Sequence, residues 1–274
     1  MKRMRQKELR MAWQVGKGGK RSFFVGTAHF FPYSFKTSLS KMLDESRIAL
    51  FEGPLDRESM ERVVRAGSLE EGESPLLRDL DDRTVSEIKK IVIPTCRRRR
   101  FLFVLRRRSL DVEDPLLSMI KGMKPWMAFF TFWSQFLQQK GWESSVDLEA
   151  YSLAKEMSKE TGNLESIEEQ IRVLESISYE KILDFLKRAR HWDEYADRYL
   201  ECYLKGDLEG LRSNAYGFPS RHHSVIDQRD LVFYARMKEY LEEGGALVCV
   251  GAPHIHGIKE LAEVDGFKVT QRGE

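Results

Sequence analysis

The sequence predicts a helix-rich α/β fold: a small mixed central sheet built from both chain ends, with a long helical insertion between them. Three observations predict it. Short apolar runs broken by glycine turns gather within residues 8–55 and again within 222–274. Apolar residues recur at three- and four-residue spacing through residues 56–221, the period of an amphipathic helix. No linker rich in proline, glycine or serine separates these regions, so residues 1–274 are expected to form a single domain.

Taken in order, "RMAWQV" and "RSFFVG" flank the glycine-rich "GKGGK" and read as a β-hairpin. "PYSFKTSLSKMLDES" is polar at its start and then periodic, a helix. "RIALFEGP" is a brief apolar run closed by Gly-Pro, a strand ending at Glu52. Helical periodicity then carries "DRTVSEIKKIVI", "DPLLSMIKGMKPWMAFFTFWSQFL", "VDLEAYSLAKEMS", "SIEEQIRVLESI" and "EKILDFLKRARHWDEYADRYLECYL". "VIDQRDLVFYARMKEYLEEGG" is the clearest helix, stopped by two glycines. "ALVCVG" reads as a buried strand, "HIHGIKELAEV" as a short helix and "FKVT" as the last strand.

Composition narrows the function. The chain has 274 residues, 42% hydrophobic and 32% charged, with a formal net charge of +2. So small a net charge nominates no nucleic-acid partner. The run "CRRRRFLFVLRRR" is locally basic; it reads as a helix with a solvated rim, and residues 97–108 also suit peripheral contact with an anionic membrane. Three scattered cysteines, Cys96, Cys202 and Cys249, make neither a disulfide framework nor a zinc ribbon. The basic N-terminus has no apolar segment behind it. "PWMAFFTFWSQFLQQK" offers about a dozen apolar-rich positions against the ~20 a membrane span needs. A cytoplasmic protein without a transmembrane span is expected.

Two apolar runs end alike: "RSFFVGTAH" and "ALVCVGAPH" each place a histidine, His29 and His254, three residues past a glycine. A strand that runs through glycine into a helix leaves its loop at the sheet edge where ligands sit in open α/β folds. Gly26 and Gly251 let the backbone turn sharply or approach a ligand closely. Glu52, directly after "IALF", reaches the same edge if its strand is parallel to the first. Two imidazoles and a carboxylate there could hold a divalent ion with open positions. They could equally act without metal, one as general base and the others orienting it. A buried carboxylate needs a cation, and Arg229 in "DQRD" competes with a metal for that part.

These residues carry a resemblance. The hairpin with its G-x-x-H, "ALFEG", "KPW" at Lys124–Trp126, "VDLEAYSLAKEMSKETGNLESIEEQI", "DQRDLVFYARMKEYLEEGGALVCVGAPHIHG" and "GFKV" occur in the order of the TraB/PrgY/GumN family. That family includes the Tiki proteins and is placed with erythromycin-esterase-like and ChaN-like proteins. The resemblance implies an α/β core whose two G-x-x-H loops and strand glutamate line one cleft. It implies a metal-dependent, peptidase-like hydrolase acting on a peptide or small acyl substrate. His29, His254 and Glu52 would be catalytic and would hold Mn, Co or Zn, with Glu52 as third ligand or as base on the bound water. Arg229 would stabilise the developing oxyanion or neutralise Glu52. Gly26, Gly251, Lys124, Trp126, Asp147 and Glu165 would line the substrate side. A metal-independent esterase with a histidine base is the second reading. A third is a non-catalytic protein that binds a peptide, a metal or haem, with "WMAFFTFW" as the pocket wall.

The chain departs from the family pattern in three places. Arg229-Asp230 stands where Arg-Asn is common, "ETGNLES" is a poor strand former where the family has a strand, and Pro253 stiffens the second loop. Other residues carry weaker expectations. His256 is aimed at the site or away from it, His222 and His223 form a solvated loop pair, and His191 lies on a helix surface. Asp147 suits an N-cap as well as the site. Glu165 and Glu168 suit the start of the next helix.

Overall fold

The computed structural model describes residues 5–72, 74–93, 114–214, 217–221 and 223–272. The basic run 97–108, Cys96 and His222 lie outside them. Among the described residues the sheet has six strands: β1 (Ala12–Lys17), β2 (Lys20–Thr27), β3 (Ile48–Phe51), β4 (Glu160–Asn163), β5 (Ala246–Gly251) and β6 (Lys268–Gln271). Their order is β4-β3-β5-β2-β1-β6.

The hairpin forms where glycine allows it. β1 and β2 are antiparallel with Lys17 opposite Lys20, and the two central turn residues, Gly18 and Gly19, both have positive φ. β2, β5, β3 and β4 are mutually parallel, whereas β6 is antiparallel to β1. β5 sits between β2 and β3 and is buried along its length, which explains its unbroken apolar run.

The expected sheet from both chain ends is therefore present, with one correction: β4 comes from inside the insertion. "ETGN" lacks an apolar pattern because this edge strand is half exposed and pairs through its main chain with β3 alone. Gly162 lets Leu50 lie across it; a Cβ there would come within 2.9 Å of Leu50 Cδ2.

The helices that matter to the site are α1 (Lys36–Asp44), α2 (Pro125–Gln139), α3 (Val146–Glu156), α4 (Ile167–Glu175), α5 (Trp192–Lys205), α6 (His223–Glu243) and α7 (Ile255–Val264). The periodic stretch before α2 breaks at Gly122, whose φ is +69°, and α2 restarts with Pro125 in its first turn. The aromatic side of α2 packs into the core: Phe129 and Trp133 lie 5.4–5.5 Å, ring to ring, from Phe185, Trp192 and Phe218. A buried cluster continues from these rings through the sheet to α6 and α7. Among the described residues no helix is long and apolar enough to cross a membrane.

Candidate active site

Four parallel strands end at one edge, at Thr27, Phe51, Asn163 and Gly251. His29, Glu52, Glu165 and His254 follow them within one to three residues. Chain direction alone thus gathers four functional groups from remote parts of the sequence.

His29 is placed by a backbone staple. Val146 N–H donates to Ala28 O at 3.0 Å, and Phe31 and Ser144 exchange bonds of 2.7 and 3.0 Å. The start of α3 therefore lies against the loop after β2. Ser145, not Asp147, caps this helix, accepting from Leu148 N–H at 3.2 Å. Asp147 is freed to turn inward, 5% exposed, with Oδ2 3.0 Å from His29 Nδ1. The positive end of α3 and the imidazole both favour a carboxylate there. The Asp147 charge raises His29 from 6.5 to about 9, against the opposing effects of burial and the Arg221 charge. The His29 side chain is nonetheless 75% exposed, so water screens the pair. One ring nitrogen is anchored, while most of the side chain is open to solvent.

His254 is the opposite case. β5 leads through a single 3₁₀ turn, Ala252–His254, into α7, and the His254 ring is 3% exposed. Its Nδ1 lies 2.6 Å from Asp230 Oδ1 and its Nε2 lies 3.2 Å from Arg229 Nη1. A guanidinium can only donate, so Nε2 accepts and Nδ1–H donates to Asp230. Gly257 makes room for that carboxylate; a Cβ at this position would overlap Asp230. Phe233 packs on the same ring, edge to face, at 5.1 Å.

Between the histidine loops lies an ion cluster. β4 runs beside β3, and Glu165 N–H bonds Glu52 O at 2.9 Å, which aligns the two carboxylates. Arg229 joins them, with Nη2 to Glu52 Oε1, Nη2 to Glu165 Oε1 at 2.6 Å and Nε to Glu165 Oε2 at 3.2 Å. Its guanidinium also stacks on Phe233 at 4.9 Å. Glu52 Oε2 accepts Gly251 N–H at 3.0 Å. Burial pushes the Glu52 carboxyl up, but its neighbours, Arg229 foremost, outweigh it and bring it to about 2. Burial dominates at Glu165 and at Asp230, and raises both.

A model of the TraB/PrgY/gumN family matches residues 11–271, both histidine loops and everything between them. The chain belongs to this family. No curated protein and no solved structure matches it significantly.

In this TraB/PrgY/gumN member the site residues divide unequally. The structure brings His29, Glu52, Arg229, His254, Asp147 and Glu165 to one sheet edge. Gly251 contributes its N–H, and a Cβ on it would stand 3.2 Å from Glu52 Oε2. Gly26 serves packing: a Cβ would come within 2.7 Å of Met11 Cγ, and its carbonyl accepts the Tyr203 hydroxyl at 2.5 Å. Lys124 caps α2 and pairs with Glu175 at 2.6 Å, and Trp126 is 5% exposed. Among the described residues neither is hydrogen-bonded or ion-paired to the histidines, Glu52 or Arg229. His256 turns to Glu209, 2.8 Å away, and His191 to Glu194. Glu168 lies in the first turn of α4 and pairs with Arg62, whereas Glu165 precedes the Ser166 cap.

The residues expected to hold a divalent metal do not fit one as they stand. Both oxygens of Glu52 and both ring nitrogens of His254 already have protein partners. Among the described residues no group of three or more His, Cys, Asp or Glu side chains is arranged to hold an ion. The positive charge between Glu52 and His254 belongs to Arg229. Asp230 and Arg221 gain their places only in the fold; in the sequence they are an aspartate directly after the site arginine and a lone arginine before the helix that carries it.

Proposed function

We propose that this chain hydrolyses acyl bonds, ester or peptide, with the His29–Asp147 pair as general base and water as nucleophile. One observation carries the reading: a histidine at a strand end has Nδ1 fixed to a buried carboxylate at 3.0 Å and the remainder of its ring open to solvent. A base needs that combination of orientation and access. Water gives a proton to His29 Nε2 while its oxygen bonds to the acyl carbon. When the tetrahedral intermediate collapses, the bond to the leaving group breaks and that group takes the proton back. The acid and an alcohol or amine leave. Glu52, Arg229, Glu165, His254 and Asp230 form a wall that ties the second histidine loop to the ends of β3 and β4 and to α6.

The metal-dependent reading requires Arg229 to withdraw from both Glu52 and His254. The ligand-binding reading requires no turnover at all. Hydrolysis of a panel of esters and short peptides, by untagged protein dialysed against a chelator, separates the three. Turnover that survives dialysis and falls by about 10²–10⁴ in His29→Gln is expected. Turnover restored only by Mn, Co or Zn supports the metal reading, and binding without turnover supports the third.

A further inference from the structure

The face of α5 carries Tyr195, Tyr199 and Tyr203 at four-residue spacing, one ladder along the helix. Tyr203 is its inner end. Its hydroxyl bonds Gly26 O at 2.5 Å and its ring lies 4.5 Å from Phe31, so it grips the His29 loop from both sides. Tyr199 follows, 6.0 Å from Tyr203 ring to ring. Arg221 lies on the outer end. Its guanidinium is 4.8 Å from the Tyr199 ring and 4.9 Å from Phe218, and Nη1 donates to Tyr195 Oη at 3.2 Å. Among the described residues no carboxylate stands within ion-pair distance of it. Asp147, the carboxylate on the same wall, is held by His29. The Arg221 charge opposes the protonation of His29, the smallest of the effects on that ring.

We propose that Arg221, seated on Tyr195 and Tyr199, is an anion-binding subsite that takes a carboxylate of the substrate beside the acyl bond presented to His29. A guanidinium is a planar fork of five N–H donors, suited to bidentate capture of a carboxylate. Aromatic stacking holds that fork in one plane without consuming most of its donors. The same packing takes water from one side of the charge, which strengthens an incoming anion contact. The subsite rests on the hydrolase reading, since it selects among acyl substrates, but its binding is measurable without turnover.

The test uses two 4-nitrophenyl esters of equal length, the hemiester of glutaric acid and the ester of pentanoic acid. The ratio of their kcat/KM values is read for the wild type, Arg221→Gln and Arg221→Lys, with thermal melts confirming that each variant folds. The expected result is a ratio that favours the anionic ester and falls by about tenfold or more in Arg221→Gln. The loss appears mainly in KM, with partial recovery in Arg221→Lys. An unchanged ratio in Arg221→Gln overturns the subsite and leaves the hydrolase reading standing. If neither ester is cleaved, the hydrolase reading fails for these esters, and calorimetric titration with glutarate decides the subsite alone. Binding weakened in Arg221→Gln supports it; equal or absent binding overturns it.

Discussion

Asp230 and His254 meet at 2.6 Å with both side chains buried, and this contact orients the ring of the second histidine. With Nδ1–H committed to Asp230, Nε2 is left to accept from Arg229. The two G-x-x-H histidines therefore have different surroundings. His29 is open and tied to one carboxylate, whereas His254 is closed and bridges Asp230 and Arg229.

Substitutions at Asp230 should separate geometry from charge. An asparagine oxygen can accept the same bond, so Asp230→Asn should keep most of the stability. Asp230→Ala leaves a buried imidazole N–H unsatisfied and should cost about 1–3 kcal/mol. Gly257→Ala, whose new methyl overlaps Asp230, should resemble Asp230→Ala. Urea unfolding of the three variants checks the ranking.

Arg229 holds two carboxylates that are 19% and 3% exposed. Arg229→Met leaves them side by side without a cation and should destabilise the fold by about 3–5 kcal/mol. Adding Glu52→Gln and Glu165→Gln removes the uncompensated charges and should recover part of the loss. A triple variant no more stable than Arg229→Met would show that the cluster's charge is not what matters.

Stability should also fall in acid through Glu52. Its carboxyl is lowered in the fold from 4.5 to about 2, so the folded state favours the ionised form. That contribution is fully present above about 4.5 and is lost as pH falls toward about 2. Glu165, raised by burial, works in the opposite sense. Glu52→Gln should therefore flatten the dependence of the unfolding midpoint on pH over that window. An identical dependence in the variant would place the effect elsewhere.

Much of this architecture was legible from residue patterns. The hairpin, β3, β5 and the helix carrying Arg229 follow from glycine turns, apolar runs and periodicity, because each buries the side chains that announce it, whereas β6 is half exposed and is announced by the buried Phe267 just before it. β4 did not announce itself, since an edge strand held by main-chain bonds needs no apolar signature. The residues of the site were readable as candidates, and so was Arg229 as a counter-ion for Glu52, but the carboxylate partners of the two histidines were not. Asp147 matched an N-cap until Ser145, two residues earlier, proved to fill that place. The pairing of Asp230 with His254 depends on α6 crossing beside the turn after β5, a relationship between segments that local sequence does not encode. The same crossing brings Arg229, which the sequence offers as the alternative to a metal, onto Glu52.

The pH dependence of kcat/KM in the wild type and in Asp147→Asn tests the central claim, that His29 is the base and Asp147 sets its basicity. Asp147 raises His29 from 6.5 to about 9, while solvent reaches the exposed ring and screens the pair. Activity should rise with pH through a group titrating between those values, with the limb moved down toward 6.5 in Asp147→Asn. A limb that stays in place when Asp147 is neutralised, or activity undiminished in His29→Gln, would contradict it.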